Sequence, residues 1–343
     1  MLWIILSFFL IFGNLDASVI RQKRQLSTRP IWPNATYLFH FDEVFPEWRK
    51  KLVWEVMDFI SSVTCVKFQE SYEEVVRIIS QNGTRCASPV AYGGGIVNLK
   101  PGKFCDNAIN HELLHSLGIQ HEQERSDTAV YLNVKKENQL FLNNSEISII
   151  APFDFGSAML YAGTENLKPY DMDYYYTMGT LPLSFFDIYN VNKLYSCTCA
   201  EELKCENFGY TNPSSCDKCI CPDGFFGKLC NELKKEPIQP THSWQTLSKT
   251  VENETLYEYI ALPHQNATLE IFVAEFDENP LGGCHGGSVE IKYLPDPRFT
   301  SPKVCSHDGG RYLKVRASSN NPTVIVYHEG NKPLNYEIKY RYV

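Results

Sequence analysis

The stretch His111-Glu112-Leu113-Leu114-His115-Ser116-Leu117-Gly118-Ile119-Gln120-His121 constrains this chain more than any other. His111 and His115 are four residues apart, so a helix carries them one turn apart on one face, where two imidazoles can share a metal ion. Gly118 falls where such a helix would stop, because glycine enters the left-handed conformation without a side-chain clash. The chain can then reverse and bring His121 round as a third ligand. Three neutral imidazoles leave a tetrahedral zinc with one open position for water, which marks a catalytic rather than a closed structural site. Glu112 is not needed as a ligand and stands beside the first one, where a general base is wanted.

The rest of the chain must supply a body for this site. At 343 residues two or three domains are expected, and a hydrophobic content of 43% suits real cores. The net charge of −8 comes with no long basic block, which argues against nucleic acid as a partner. The twelve cysteines include seven crowded between Cys197 and Cys230, a density that fits disulfides in an oxidising compartment. N-x-S/T sequons at Asn34, Asn82, Asn143, Asn253 and Asn266 add a glycosylated surface to that picture.

Leu2 to Phe12 is almost continuously apolar but short of the about 20 residues that span a bilayer. Small residues near Asp16-Ala17-Ser18 permit cleavage, so residues 1–17 read as a signal peptide, although its start lacks Lys and Arg. No other apolar run is long enough to insert, so no membrane insertion is expected after cleavage. Arg21-Gln22-Lys23-Arg24 follows as a basic processing site, making 18–24 a short propeptide cut between Arg24 and Gln25.

Tyr37 to Phe41 reads as a strand, and Pro46 as an early helix residue. Trp48, Leu52, Val53, Val56, Phe59, Ile60 and Val63 then recur at spacings near 3 and 4, the buried stripe of an amphipathic helix. Cys65 to Phe68 and Val75 to Ile79 are short β runs. Gly93-Gly94-Gly95 feeds a further strand through Leu99 and lacks the spacing of a phosphate loop. That strand could be a cleft edge that pairs with extended substrate. Asp106 or Asn107 is placed to cap the metal-binding helix, and Leu113, Leu114 and Leu117 to pack it on the body.

His111 to Asp127 reads H-E-x-x-H-x-x-G-x-x-H-E-x-x-R-x-D, and this resembles the astacin family of zinc endopeptidases, a branch of the metzincins. Glu122, directly after the third histidine, separates the pattern from other branches such as matrix metalloproteases. Ser157-Ala158-Met159-Leu160-Tyr161 resembles the family's Met-turn, with Leu160 in place of the usual histidine. The resemblance implies that Met159 lies beneath the zinc and that Tyr161 is a mobile fifth ligand that stabilises the oxyanion. It implies that Glu122 pairs with the new amino terminus, here Gln25. It also implies the disulfides Cys65–Cys197 and Cys86–Cys105. Residues 18–24 hold no acidic residue, so latency should come from the unprocessed amino terminus rather than from an aspartate on the zinc.

Cys199, Cys205, Cys216, Cys219, Cys221 and Cys230 form a unit too small for a hydrophobic core of its own. Its Cys-x-Cys-Pro-x-Gly-x-x-Gly-x-x-Cys ending resembles an EGF-like module, which implies Cys199–Cys216, Cys205–Cys219 and Cys221–Cys230. Cys-x-x-Cys spacing can also hold zinc, but no histidine accompanies it. After a short linker from Lys234 to Pro240, alternating runs at 269–273, 288–293, 312–315, 323–327 and 336–340 suggest a β-sandwich. Cys284 and Cys305 around the second run resemble one disulfide of a CUB domain. The order of the three modules resembles nematode astacin-like proteases.

The expectation is therefore an α+β chain: a two-lobed metzincin protease domain with an active-site helix at 25–197, an EGF-like module at 198–231 and a CUB-like β-sandwich at 241–343. Function would be secreted, zinc-dependent hydrolysis of peptide bonds in extracellular proteins, matrix or cuticle components among them. One Zn2+ would be held by His111, His115 and His121, with Glu112 and Tyr161 catalytic. The rival is a secreted binding protein with an inactive protease domain, and the intact set of site residues argues against it.

Overall fold

A computed structural model describes residues 30–73, 75–81, 85–135, 150–252, 254–264, 266–274, 283–305, 311–315, 322–329 and 333–343. The signal peptide, the propeptide, Arg24, Gln25 and the sequons at Asn82, Asn143 and Asn253 lie outside the described residues.

The amino-terminal body begins with β1 (Thr36–Phe41), α1 (Glu47–Val63), β2 (Lys67–Glu70), β3 (Val76–Ile79) and β4 (Gly95–Asn98). The four strands form a parallel sheet in the order β2-β1-β3-β4, so β4 is an edge. Pro46 precedes α1 in extended backbone rather than starting it. The buried face of α1 is also rotated from the expected stripe. Arg49, Val53, Met57 and Ile60 are buried, whereas Trp48 and Phe59 are 62% and 46% exposed. The polar Arg49 belongs inside because it has partners there: Asp106 Oδ1 at 2.7 Å, Ser80 Oγ at 2.7 Å and the Leu99 carbonyl at 2.7 Å. Apolar periodicity alone does not register a buried arginine.

Next come α2 (Lys103–Asn107), α3 (Ile109–Ser116), β5 (Leu132–Val134), β6 (Leu167–Pro169) and α4 (Phe185–Leu194). The metal-binding helix α3 starts later than expected, from Ala108, and neither Asp106 nor Asn107 caps it. Asp106 instead takes the Arg49 guanidinium. One core joins the sheet and α1 to Ile109, Leu113, Leu114, Leu117 and Met159. A second, smaller core gathers Leu132, Phe153, Leu160, Leu167 and Met178. Met159 and Leu160 are neighbours in sequence but belong to different cores, so the turn that carries them joins the two lobes.

The carboxy-terminal part holds β7 (Tyr210–Thr211), β8 (Cys219–Ile220), β9 (Gln245–Val251), β10 (Leu256–Ile260), β11 (Leu269–Val273), β12 (Ser288–Lys292), β13 (Lys303–Val304), β14 (Arg311–Val315), β15 (Thr323–His328) and β16 (Leu334–Tyr342). Two antiparallel four-stranded sheets, β10-β15-β12-β13 and β14-β11-β16-β9, contribute to one core. β16 alternates buried and exposed, the pattern of a strand with one wet face. β15 is buried from Thr323 to Tyr327 because both of its faces are covered. Ile325 and Tyr327 enter the core shared by the two sheets, while Val324 and Val326 pack with Phe225 of the small cysteine-rich unit. The segment expected to be a linker joins a sheet edge, with the Ile238 N–H donating to the Tyr259 carbonyl at 2.7 Å.

Six disulfides are formed: Cys65–Cys197, Cys86–Cys105, Cys199–Cys216, Cys205–Cys219, Cys221–Cys230 and Cys284–Cys305. The sequons at Asn34 and Asn266 are exposed. Among the described residues no helix is long and apolar enough to cross a membrane.

Candidate active site

Helix α3 presents His111 and His115 from one face, and Gly118 ends it with φ +101°. A Cβ at that position would lie 3.3 Å from the Leu194 side chain, so the turn is closely packed as well as left-handed. The reversal brings His121 up to the other two. His115 Nε2 lies 3.0 Å from His111 Nε2 and 2.9 Å from His121 Nε2.

The Nδ1 atoms settle what those Nε2 atoms can be. His111 Nδ1–H donates to the Ala158 carbonyl at 2.7 Å, and His115 Nδ1–H to the Ile119 carbonyl at 2.8 Å. His121 Nδ1–H donates to the Glu124 carboxylate at 3.1 Å. A carbonyl or carboxylate can only accept, so in each neutral ring the proton sits on Nδ1 and the Nε2 lone pair is bare. Burial pushes the His111 pKa down to about 4, with the Ala158 bond opposing and the His121 charge assisting. Burial lowers His115 further, to about 2, assisted by His121 and His111. Three lone pairs facing one another at this range need a cation between them. Tetrahedral Zn–N bonds of about 2.0–2.1 Å would put neighbouring nitrogens roughly 3.3 Å apart, a few tenths wider than here. The donor set therefore fits zinc.

Glu112 is buried beside the ligands, and its Oε2 makes no hydrogen bond among the described residues. Burial raises its carboxyl to about 7. It lines a cavity of about 820 Å³ together with His111, Leu160 and Tyr161. Tyr161 is half exposed, with its ring centroid 4.4 Å from that of His121. Its N–H donates to Gln123 Oε1 at 3.2 Å. Met159 is buried in the main core, and its carbonyl accepts from the Glu122 N–H at 2.9 Å.

Glu122 has partners of its own. Its Oε1 accepts from Arg125 Nη1 and from the Asp154 N–H, both at 3.1 Å. Burial raises its carboxyl to about 8 against the pull of Arg125 and that N–H. The pairing with Gln25 involves a residue outside those described.

Three contributors escaped the sequence reading as site residues: Glu124 on His121, Gln123 on the Tyr161 backbone, and Asp187. The last had a legible signal. Ser184-x-x-Asp187 is a capping box at the start of α4, and the same carboxylate reaches the Met-turn through Ser157 Oγ at 2.6 Å and Ala158 N–H at 2.8 Å.

A second cluster, Asp223, Glu290 and His328, also brings its ligand atoms within 4.8 Å of one another. Lys292 Nζ already lies 3.2 Å from Glu290 Oε1, so the cation there is a lysine.

The family model described as Astacin, a family of peptidases, matches residues 24–196. The chain belongs to the astacin family. It is accordingly a zinc metalloendopeptidase, and the fit of His111, His115 and His121 to zinc is the local counterpart of that assignment. The likeness to individual astacins extends past the protease part. Zinc metalloproteinase nas-17 of Caenorhabditis elegans is 35% identical over 363 residues, covering 96% of this chain and 83% of that protein. Zinc metalloproteinase nas-24 of the same organism is 34% identical over 371 residues, covering 96% and 90%. Among solved structures, high choriolytic enzyme 1, a hatching enzyme zinc-protease of Oryzias latipes, is 22% identical with a TM-score of 0.43, covering 50% of this chain and 96% of that one.

Proposed function

We propose that this astacin is a secreted, glycosylated endopeptidase that cleaves extracellular proteins, matrix or cuticle components among them. Glu112 is its general base, and it is activated by removal of residues 18–24. The domain division at 25–197, 198–231 and 241–343, with EGF-like and CUB-like modules after the protease, belongs to the same reading. The observation that carries it is the unpartnered Glu112 Oε2, buried beside three bare imidazole lone pairs at the wall of a substrate-sized cavity.

Zinc, when bound, lowers the pKa of a water molecule and polarises the scissile carbonyl. Glu112 accepts the proton released as water attacks, then delivers it to the leaving amine. Its burial suits that task, because a carboxyl raised toward neutrality both takes and returns a proton near pH 7. The Tyr161 phenol, standing over the His121 ring, donates to the oxyanion as charge develops. Met159 and the buried Ala158 hold the floor on which His111 is oriented.

The test is peptide cleavage by mature full-length protein, with and without a zinc chelator, beside Glu112→Gln. Chelation should abolish cleavage and zinc should restore it. Glu112→Gln should keep its zinc and lose about 10²- to 10⁴-fold in kcat. Equal turnover by the variant would refute the role of Glu112. A zinc-loaded wild type without turnover would favour the binding-protein alternative.

A further inference from the structure

The cavity beside the zinc ligands is not walled by the protease part alone. Its lining includes Phe104, Ala108, Leu160 and Leu181 together with His285, which lies in the turn before β12 of the carboxy-terminal part. Backbone contacts place that turn. The Gly283 N–H donates to the Tyr176 carbonyl at 3.1 Å, and Cys284 Sγ touches the same oxygen at 3.4 Å. Gly283 has φ +83°, and a Cβ there would collide with the backbone carbonyl of Gly179, itself part of the cavity wall. The two backbones meet with no room for a side chain between them.

Neighbouring contacts clamp the same face. The Lys303 N–H donates to Thr177 Oγ1 at 2.8 Å. Thr300 gives both its N–H and its hydroxyl to the Asp154 carboxylate, each at 3.2 Å. The Phe299 and Phe186 rings meet at 5.0 Å, and the disulfide Cys284–Cys305 ties the turn to the start of the next segment. His285 is thus delivered to the cleft by a rigid turn, half buried, and burial and the charge of Lys303 favour its neutral form.

From this geometry we infer that His285 is a specificity-determining residue, contributed to the substrate cleft by the carboxy-terminal module. From the cavity wall it sets how large a substrate side chain can enter. The inference rests on the endopeptidase reading above. The apolar walls at Phe104, Leu160 and Leu181 suit a large side chain. Peptides with an aromatic residue next to the cleaved bond are the favoured class.

The experiment uses the full-length protein and peptides that differ only in the residues flanking the cleaved bond, varied from Ala through Leu to Tyr. His285→Ala and His285→Trp are compared with wild type by kcat/KM. The same peptides are bound, without cleavage, to these proteins in a Glu112→Gln background and read by fluorescence polarisation. His285→Trp should lower the Tyr-to-Ala selectivity by about tenfold and His285→Ala should shift it the other way, in rate and in affinity alike. Thermal unfolding close to wild type shows that the turn stays folded. A selectivity ratio that is the same in all three proteins, while wild type cleaves, overturns the role of His285 and leaves the endopeptidase reading standing. Wild type that neither cleaves nor binds any peptide overturns both.

Discussion

His111 and Asp187 meet across a single residue. The Ala158 carbonyl accepts from His111 Nδ1 at 2.7 Å, and the Ala158 N–H donates to Asp187 Oδ2 at 2.8 Å. The same carboxylate takes Ser157 Oγ at 2.6 Å and the Ser184 N–H at 2.9 Å. One buried side chain therefore caps α4, shapes the Met-turn and, through it, aims a zinc ligand. Removing it by Asp187→Ala leaves these donors without an acceptor, at about 1–3 kcal/mol each. Zinc affinity should also fall about 10- to 100-fold, as expected when the group orienting a ligand is lost. Chelator competition and thermal unfolding of the zinc-loaded protein measure the two effects. Unchanged zinc affinity in a destabilised variant would confine Asp187 to capping.

Tyr161 should act on turnover and not on metal. Its backbone is fixed by Gln123 and its ring leans on His121, but the side chain is half exposed and free of the core. Tyr161→Phe keeps the ring and removes only the phenol oxygen. The expected result is a fall of about 10²- to 10³-fold in kcat with KM and zinc content near wild type. An equal rise in KM with kcat preserved would make Tyr161 a ground-state contact instead.

Arg49 locks α1 to the segment that leads into the metal-binding helix. Its guanidinium is buried against Asp106, Ser80 and the Leu99 carbonyl. Arg49→Ala would strand the Asp106 carboxylate, and breaking a buried pair from one side costs about 3–5 kcal/mol. Arg49→Lys keeps the charge without the planar fork and should lose less. Denaturant unfolding distinguishes the three proteins, and an Arg49→Ala loss under about 1 kcal/mol, the scale of a surface pair, would remove Arg49 from this role.

These residues also mark where the sequence was legible. The histidine spacing, Gly118, the leucines of α3 and five tail strands are local signals, each written in a few neighbouring residues, and the structure has an element at each. What was not legible depended on distant partners. The face of α1 turned on Arg49, whose burial is possible only because Asp106 and Leu99 come from elsewhere in the chain. The start of α3 moved for the same reason, since Asp106 was taken by Arg49 and could not cap. β9 lay in a polar stretch, and Gln245–Val251 became a strand by pairing with β16. The place of His285 at the cleft follows from module packing, which no local pattern encodes.

Glu290 should make the carboxy-terminal module sensitive to acid. It is fully buried, with Oε1 accepting from Lys292 Nζ at 3.2 Å and the Ser301 N–H at 2.8 Å, and Oε2 3.1 Å from His328 Nε2. Burial alone would raise its carboxyl, but Lys292, the His328 bond and Lys303 together hold it well below the ordinary glutamate value of 4.5. A folded pKa below the unfolded one means that the carboxylate stabilises the fold fully above the unfolded value. That contribution is lost as pH falls below 4.5 and on through the folded pKa. Glu290→Gln should therefore cost about 3–5 kcal/mol at pH 7, by leaving buried Lys292 without its counter-charge. The gap from wild type should begin to narrow as pH is lowered below 4.5 toward 3, because wild type then starts to lose what the variant already lacks. Ser301 follows Thr300, which holds Asp154 of the protease part, so loosening at Glu290 should also loosen the docking that carries His285. Denaturant unfolding of both proteins at a series of pH values reads the gap, and a gap that stays constant from pH 7 to pH 3 would show that Glu290 is not what links this interface to acid.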